Sequence, residues 1–276
     1  LSYVFNAAKE IADSMRGYTV VVTKSTVPVG TGKQVFEIIK SENPDLEFDV
    51  ASNPEFLREG SAINDFMRPD RVVVGTMGEK AKNMLQQIYR PLYLIETPIQ
   101  FTDLETAELI KYAANAFLAV KISYINQIAD LCEKVGADVH DVAKGMGLDK
   151  RIGGKFLHPG PGYGGSCFPK DTLALVKTAE LTGGQISIVE EVVRYNHERK
   201  LSMSDRILSQ LQSGVSGKTI SILGLAFKPE TDDMRYSPAL DIIPELISNG
   251  ANIVAYDPAA MQEARALLSD NVVFAA

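Results

Sequence analysis

Apolar positions switch between two periods along the chain, and each switch marks an element. From Ser2 to Met15 they recur at helical spacing among Lys9, Glu10 and Asp13, the pattern of an amphipathic helix and not of a secretory leader. Tyr18 to Thr23 (YTVVVT) is a short β-branched run and predicts a buried strand. Helix is predicted over Thr31 to Asn43, strand over Phe48 to Ser52 up to Asn53-Pro54, strand over Arg71 to Gly75, helix over Glu79 to Leu92 and a short strand over Tyr93 to Glu96. Strands alternating with helices predict an α/β fold with a parallel sheet covered on both faces.

The period then stays helical. Thr102-Asp103-Leu104-Glu105 has the form of a capping box. Apolar positions follow at Leu109, Ala113, Ala116, Val120, Tyr124, Ile128 and Leu131 as far as Gly136, a residue suited to the position just past a helix end. Such a helix spans about 30 residues, or roughly 45 Å. That is too long for a crossover and predicts a spine between domains or a dimer surface. Further helices are predicted over Val139 to Lys144, Thr172 to Thr182 and Ile188 to Leu211. Ser213-Gly214-Val215-Ser216-Gly217 reads as a linker. After it come strand Thr219 to Leu223, helix Ser237 to Asn249 and strand Asn252 to Tyr256, the opening βαβ of a second doubly wound domain. The expected domains are 1–100, 101–212 and 213–276. Leu1 falls within a helical pattern with no Met before it, and Ala276 follows soon after an apolar run, so truncation at both ends is expected.

Composition narrows the class. The chain has 276 residues, 45% hydrophobic and 23% charged, as in an ordinary globular protein. A net charge of -7 argues against a nucleic-acid partner but allows a small anionic ligand held by local cations. No apolar run approaches the roughly 20 residues of a membrane span. Two cysteines in unlike settings, Cys132 in a helical pattern and Cys167 in a glycine loop, do not make a disulfide framework, so a reducing, cytoplasmic compartment is expected.

Gly160-Pro161-Gly162-Tyr163-Gly164-Gly165-Ser166-Cys167-Phe168-Pro169-Lys170-Asp171 is the segment richest in chemistry. Its glycines fit G-x-G-x-x-G, but that fingerprint must follow a strand and this segment follows helical residues. It reads better as a loop whose backbone approaches a ligand. Pro169 suits a first helical turn, which places Cys167 just before a helix N-terminus with Lys170 near it, a setting that favours an anionic sulfur. A buried structural cysteine is the plainer alternative, and it is the reading preferred for Cys132. Lys111 and Asn115 lie four apart on the long helix among apolar neighbours, so they need partners unless they form a solvated stripe. Asn53 to Gly60 and Lys24 to Pro28 follow strands at their carboxyl ends, where open α/β sheets bind ligands; an ordinary polar loop and a structural turn are the alternatives. Leu223 to Pro229 carries a single glycine of a dinucleotide fingerprint. Asp257 stands where a ribose-binding acid can sit, though Asp-Pro is also a common turn.

Together the strings STVPVGT (Ser25 to Thr31), NPEFLREG (Asn53 to Gly60), ELIKYAANAFLA (Glu108 to Ala119), GYGGSCFPKD (Gly162 to Asp171) and GLAFKPETDDMRYSPA (Gly224 to Ala239) resemble the UDP-glucose/GDP-mannose dehydrogenase family, in its order and spacing over essentially the whole chain. The resemblance implies two doubly wound, Rossmann-like domains, both incomplete here, joined by a helical domain with a long central helix in a homodimer. It implies oxidation of a sugar C6 alcohol to a carboxylate with two NAD per turnover and no metal, on a UDP-sugar, with no nucleic acid or membrane partner. By motif it makes Cys167 the nucleophile and sets Lys111 and Asn115 beside the developing charge on the C6 oxygen. Asp171, Thr26 and Glu59 handle protons and an ordered water. Glu55, Phe56, Leu57, Arg58 and Glu59 line the substrate; Phe156, Leu157, His158, Pro159, Gly160 and Gly164 hold the nucleotide sugar; Lys228 contacts it from the last domain. Arg235, Lys170, Thr26 and Glu59 face the cofactor, and Arg151 reaches the neighbouring subunit's site. The wording of NPEFLREG and GYGGSCFPKD points within the family to UDP-glucose.

One departure and three rivals accompany that resemblance. Family members open on a G-x-G-Y-x-G loop after a first strand, followed by an acid for the adenosine ribose, and neither stands before Ser2. The polypeptide alone is therefore expected to be inactive and to bind NAD weakly. The rivals are a GDP-mannose or other nucleotide-sugar enzyme, a catalytically silent dimerisation module, and a cysteine hydrolase pairing Cys167 with His140, His158 or His197.

Overall fold

The computed structural model describes residues 1–93, 97–211 and 214–275. The chain divides into two units, Leu1–Ala114 and Asn115–Ala276. The first holds α1 (Ser2–Ser14), β1 (Thr19–Thr23), α2 (Thr31–Glu42), β2 (Phe48–Ser52), α3 (Ala62–Met67), β3 (Val72–Thr76), α4 (Glu79–Ile88), α5 (Arg90–Tyr93), β4 (Ile99–Thr102) and the first turns of α6 (Leu104–Val135). Alternation along β2 builds the core on both faces of the sheet. Val50 joins Ala8, Ala12, Val35 and Ile39 beneath α1 and α2. Ala51, the next residue, joins Val74, Leu85 and Tyr89 beneath α4. Gly75 lets the sheet pack closely on the start of the long helix: a Cβ there would collide with the Asp103 carbonyl oxygen and lie 2.6 Å from the Ala107 side chain.

The expected all-parallel sheet is in fact mixed. Its order is β1-β2-β3-β4; β1/β2 and β3/β4 are parallel, while β2 and β3 pair antiparallel through Ala51↔Thr76 and Ser52↔Gly75. A parallel neighbour needs a covering crossover helix. The segment from 53 to 71 carries only the short α3, which the apolar pattern does not predict, and returns the chain in the opposite sense. The helix predicted over Glu79 to Leu92 is two, because Pro91 has no N–H to continue the ladder. Of the strand predicted over Tyr93 to Glu96, Tyr93 closes α5 and the other three lie outside the described residues; the strand that completes the sheet is Ile99–Thr102. The cap of α6 is Asp103 and not Thr102, since Asp103 Oδ1 accepts the Thr106 N–H at 2.7 Å. At its far end α6 stops as predicted, with Gly136 at φ 74°.

The second unit carries the rest of α6, α7 (Val139–Gly147), α8 (Phe168–Leu181), α9 (Ser187–Ser209), β5 (Thr219–Leu223), α10 (Ala239–Ser248), β6 (Asn252–Tyr256), α11 (Met261–Leu267) and β7 (Val272–Phe274). Gln212 and Ser213 of the linker lie outside the described residues. β5, β6 and β7 are parallel neighbours over a core of Leu225, Ile243, Leu246, Ile253 and Ala255. No helix among the described residues is long and apolar enough to cross a membrane.

Asp257, at the end of β6, makes the contacts of a turn. Its carboxylate is buried and accepts the N–H groups of Leu225, Ala226, Ala259 and Ala260 at 2.7, 3.0, 2.8 and 2.8 Å. Burial pushes its pKa up, but the four amides outweigh burial and carry it down to about 2. A depressed folded-state pKa gives stability that is complete above the unfolded value, near 3.9, and is lost as pH falls towards 2. Asp257→Asn should cost about 2 kcal/mol near neutrality, with the difference from the parent shrinking between roughly pH 4 and pH 2. Urea unfolding of both proteins across that range checks it; a pH-independent difference would show that the charge is not what the amides hold.

Candidate active site

Apart from Lys111 on α6, the candidate residues of the first unit lie in two loops that leave the carboxyl ends of the parallel pair β1 and β2. Asn53 staples these loops together. Its N–H donates to the Thr23 carbonyl (2.9 Å), its Nδ2 to the Val73 carbonyl (2.7 Å), and its Oδ1 accepts from Lys24 Nζ (3.0 Å) and the Tyr89 hydroxyl. The second loop then folds on itself. Leu57 N–H donates to Glu55 Oε2 (2.6 Å), and Arg58 is forked by Asp65 through Nε (3.0 Å) and Nη2 (2.6 Å). Lys111 on α6 is 3% exposed, and its ammonium donates to the Glu55 carbonyl at 2.6 Å, 3.5 Å from Glu55 Oε1. It also stands 5.2 Å from the centre of the Phe56 ring, which Arg71 approaches to 3.9 Å. Lys111 is thus a buried, partnered cation and no solvated stripe. Thr26 is half-buried in the first loop, and Glu59 is exposed at the tip of the second.

In the second unit the glycine loop is held from outside at each step. Gly160 N–H donates to Asn126 Oδ1 (2.8 Å), and Arg199 Nε donates to its carbonyl (3.1 Å). Tyr163 exchanges two hydrogen bonds with the Asn196 amide, at 2.8 and 3.1 Å. Gly165 N–H donates to the Arg235 carbonyl at 2.7 Å. The glycines answer crowding as well as conformation. A Cβ on Gly162 (φ 123°) would meet Lys200 Cγ at 2.9 Å, and one on Gly165 (φ 81°) would meet the Phe227 ring at 2.6 Å. Phe168 anchors the far side, with its ring 6.0 Å from Phe156 and 6.1 Å from Tyr163. The loop follows no strand, as the rejection of a dinucleotide fingerprint requires.

This framing delivers Cys167 exposed, as the N-cap residue of α8, with Pro169 in the first turn. Its sulfur lies 3.6 Å from Ser166 Oγ, and no histidine among the described residues is bonded to it. One turn on, Asp171 is 1% exposed. Its Oδ2 accepts from Asn115 Nδ2 at 2.6 Å, and its Oδ1 stands 2.9 Å from Lys170 Nζ. That second contact is an ion pair without hydrogen-bond geometry, so Oδ1 keeps unfilled acceptor capacity. Lys170, expected beside the cysteine, is engaged by this carboxylate. Cys132 is buried in the core, as expected.

Phe156 has a left-handed backbone (φ 63°), Leu157 is buried, His158 is exposed and Pro159 half-buried. Gly164 is pressed against the Tyr236 backbone. Lys228 Nζ lies 5.4 Å from the Phe227 ring centre. Arg151 forks its own turn residue Asp149 (3.0 and 2.6 Å), and Arg235 forks Asp233 (2.8 and 2.9 Å). Asn53, Asn126, Asn196, Arg199 and Glu108 hold the loops; Asn53 and Glu108 open two of the quoted strings without a role of their own, and Asn126, Asn196 and Arg199 lie outside every string. The signal available for Asn126, Asn196 and Glu108 is a polar side chain within an apolar helical period. Among the described residues no group of three His, Cys, Asp or Glu could hold a metal ion.

Known proteins of one family match the chain along its length. The NAD binding domain of the UDP-glucose/GDP-mannose dehydrogenase family matches residues 1–93, its central domain residues 105–198 and its UDP binding domain residues 221–276. A UDP-glucose 6-dehydrogenase of Rhizobium meliloti is 57% identical over 270 residues, covering 97% of this chain and 62% of that protein. One of Bacillus subtilis is 53% identical over 99% of this chain and 59% of its own length. A UDP-glucose dehydrogenase structure from Pyrobaculum islandicum superposes with a TM-score of 0.93 at 42% identity, covering 99% of this chain and 63% of that one. The chain therefore spans about three fifths of the length of the curated relatives it matches. With matches over all three of its domains and identity above one half, the chain belongs to the UDP-glucose/GDP-mannose dehydrogenase family.

Proposed function

We propose that this chain serves the four-electron oxidation of UDP-glucose to UDP-glucuronate, with Cys167 as covalent nucleophile and with the domain division 1–100, 101–212 and 213–276. The observation that carries the proposal is the exposed Cys167 at the start of α8, followed one turn later by a buried carboxylate bonded to Asn115. The relatives named UDP-glucose 6-dehydrogenase favour this sugar over GDP-mannose.

The residues suit a dinucleotide at its reactive end. Thr26 and Glu59 lie in loops at the carboxyl ends of neighbouring parallel strands, the edge where open α/β sheets take such cofactors. When bound, NAD supplies the hydride acceptor for each of two oxidations. Residues of this chain then have separate roles. In the first oxidation the C6 hydroxyl proton passes to the ordered water beside Asp171 and Thr26, leaving an aldehyde at C6. The Cys167 thiolate adds to its carbon to form a thiohemiacetal, so the reactive aldehyde stays attached. The Lys111 ammonium stabilises the oxyanion that forms, and Asn115 donates to it. Loss of the second hydride leaves a thioester. Water, positioned by Thr26 and Glu59 with Asp171 taking its proton, attacks the acyl carbon; the C–S bond breaks, returning the thiolate and releasing the carboxylate. Lys228, Arg58 and the loop from Phe156 to Gly164 bind the nucleotide sugar in this reading, and Lys170 and Arg235 face the cofactor.

Assembly as a homodimer belongs to the same proposal. Phe117, Tyr124 and Leu131 recur every seventh residue on α6 and are 63, 48 and 53% exposed. A stripe of this kind fits the same helix of a second copy across a two-fold axis. In that dimer the exposed Arg151 is the side chain proposed to reach the partner's site.

Two outcomes are expected. Cys167→Ser in the intact gene product should abolish UDP-glucuronate formation, by several orders of magnitude on the scale of nucleophile deletions, while UDP-glucose affinity persists. Cys132→Ser should cost only about 1 kcal/mol of stability. NADH production and calorimetry on both variants check this, and near-parent turnover by Cys167→Ser would remove the covalent mechanism. Sedimentation at micromolar concentration should give a dimer that Tyr124→Glu converts to monomer; a monomeric parent would rule out the α6 interface.

A further inference from the structure

We infer that Glu108 is a positioning residue, whose carboxylate fastens the loop carrying Thr26 to the helix carrying Lys111. The inference rests on the reading of Thr26 and Lys111 as site residues. Glu108 is 2% exposed, and both of its oxygens are directed at the same turn of backbone. Oε2 accepts the Gly30 N–H at 2.6 Å and Oε1 the Gly32 N–H at 2.7 Å. These amides begin α2. The N-cap of that helix is Gly30, in the left-handed region at φ 91°, and it has no side chain with which to cap. The capping acceptor arrives instead from α6, 78 residues away.

Burial makes this a costly way to cap a helix. It pushes the Glu108 pKa up, against the pull of the Gly32 and Gly30 amides. An ordinary uncharged side-chain cap, such as serine, would serve α2 alone without burying a carboxylate. The long-range carboxylate does something a local cap cannot, which is to tie the β1–α2 loop to α6. The tie is close: a Cβ on Gly32 would come within 3.1 Å of Glu108 Oε1 and 3.2 Å of Leu104 Cδ2. On the open side of the same junction Lys33 pairs with Glu105.

The tie is transmitted to Thr26 through a short, stiff path. Thr31 N–H and Oγ1 both donate to the Pro28 carbonyl, at 3.1 and 2.5 Å, and Val27 is 4% exposed. Thr26 therefore precedes a turn that hangs from Glu108. Three residues further along α6, Lys111 holds the other loop through the Glu55 carbonyl. Two side chains one helical turn apart thus set the loops after β1 and after β2 relative to one another.

The test is Glu108→Gln in the intact gene product. Gln keeps the size but turns an NH2 group towards one of the two amides. Exchange of the Gly30 and Gly32 amide hydrogens should accelerate. Turnover should fall about ten- to a hundredfold, the scale of a small misplacement of catalytic groups, with KM for UDP-glucose little changed. Adding Thr26→Ala to Glu108→Gln should cost less than Thr26→Ala costs alone, since both act through one position. A kcat equal to the parent's with a lowered melting temperature would reduce Glu108 to a fold residue and overturn the inference. If Glu108→Gln does not fold, Gly32→Ala crowds the carboxylate without removing it, and a folded Gly32→Ala enzyme with parental kcat overturns it equally. A parent that does not oxidise UDP-glucose would instead defeat the proposed activity, and that result is read before any substitution is made.

Discussion

A backbone that leaves regular structure inside a protein must still find partners for its N–H and C=O groups, and in this chain that requirement shapes every candidate loop. The segment from Gly160 to Ser166 has neither ladder nor helix to satisfy it. Asn126, Asn196 and Arg199, all on long helices, supply the missing partners. Asn196 does so as a strand would, accepting and donating at one residue, Tyr163. Because the anchors sit on helices they are themselves immobilised, and Arg199 is further braced by Asp130. Loop geometry is thereby inherited from helix packing. Cys167 comes after the last of these anchors, and its exposure reflects where the anchoring stops.

The loops of the first unit are governed the same way with charged partners. The buried Lys111 and Glu108 and the exposed Lys24 reach a backbone carbonyl, two backbone amides and a side-chain amide oxygen. Hydrogen bonds from ionisable side chains are among the stronger ones, and losing the partner of a buried one leaves a desolvated polar group. Loops held in this manner resist small shifts. Precision of this kind matters where reacting groups must be aligned, and it explains why polar residues are kept in a helix that packing alone would fill with leucine and alanine.

Much of this is legible in the chain. The β-branched runs VVV and the helical period of α1, α2, α6 and α9 mark their elements because burial on one face enforces the period directly. Gly136 and Pro169 are readable because each meets a purely local need. The antiparallel step between β2 and β3 is not readable: strand direction depends on how the connection returns, and the segment from 53 to 71 carries no strong period. The strand Ile99–Thr102 is hidden because its four residues follow Pro98 and sit beside a longer apolar run. Thr102 suggests itself as the cap because T-x-x-E fits the box, but Asp103 is equally competent and one residue nearer the helix. The short α11 and β7 close the last sheet with too few residues to stand out from their surroundings.

Motifs locate the candidate chemistry but not its support. GYGGSCFPKD stands out because glycine, proline and cysteine each have a local physical signature. Asn126 and Asn196 offer only a polar side chain in an apolar helical period: asparagine on a helix is commonplace, and its meaning depends on a partner more than thirty residues away. The same holds for Asp257, whose position after a strand suits a ribose as well as a turn. Only the four amides converging on its carboxylate distinguish the two. A carboxylate with four N–H donors has its lone pairs filled and little left to offer a ligand. Asp171 is the contrasting case, equally buried but with Oδ1 short of a hydrogen bond. Between these two buried acids in one unit, the one near the exposed Cys167 keeps an oxygen free to accept a further hydrogen bond, and the saturated one is equipped to hold the fold.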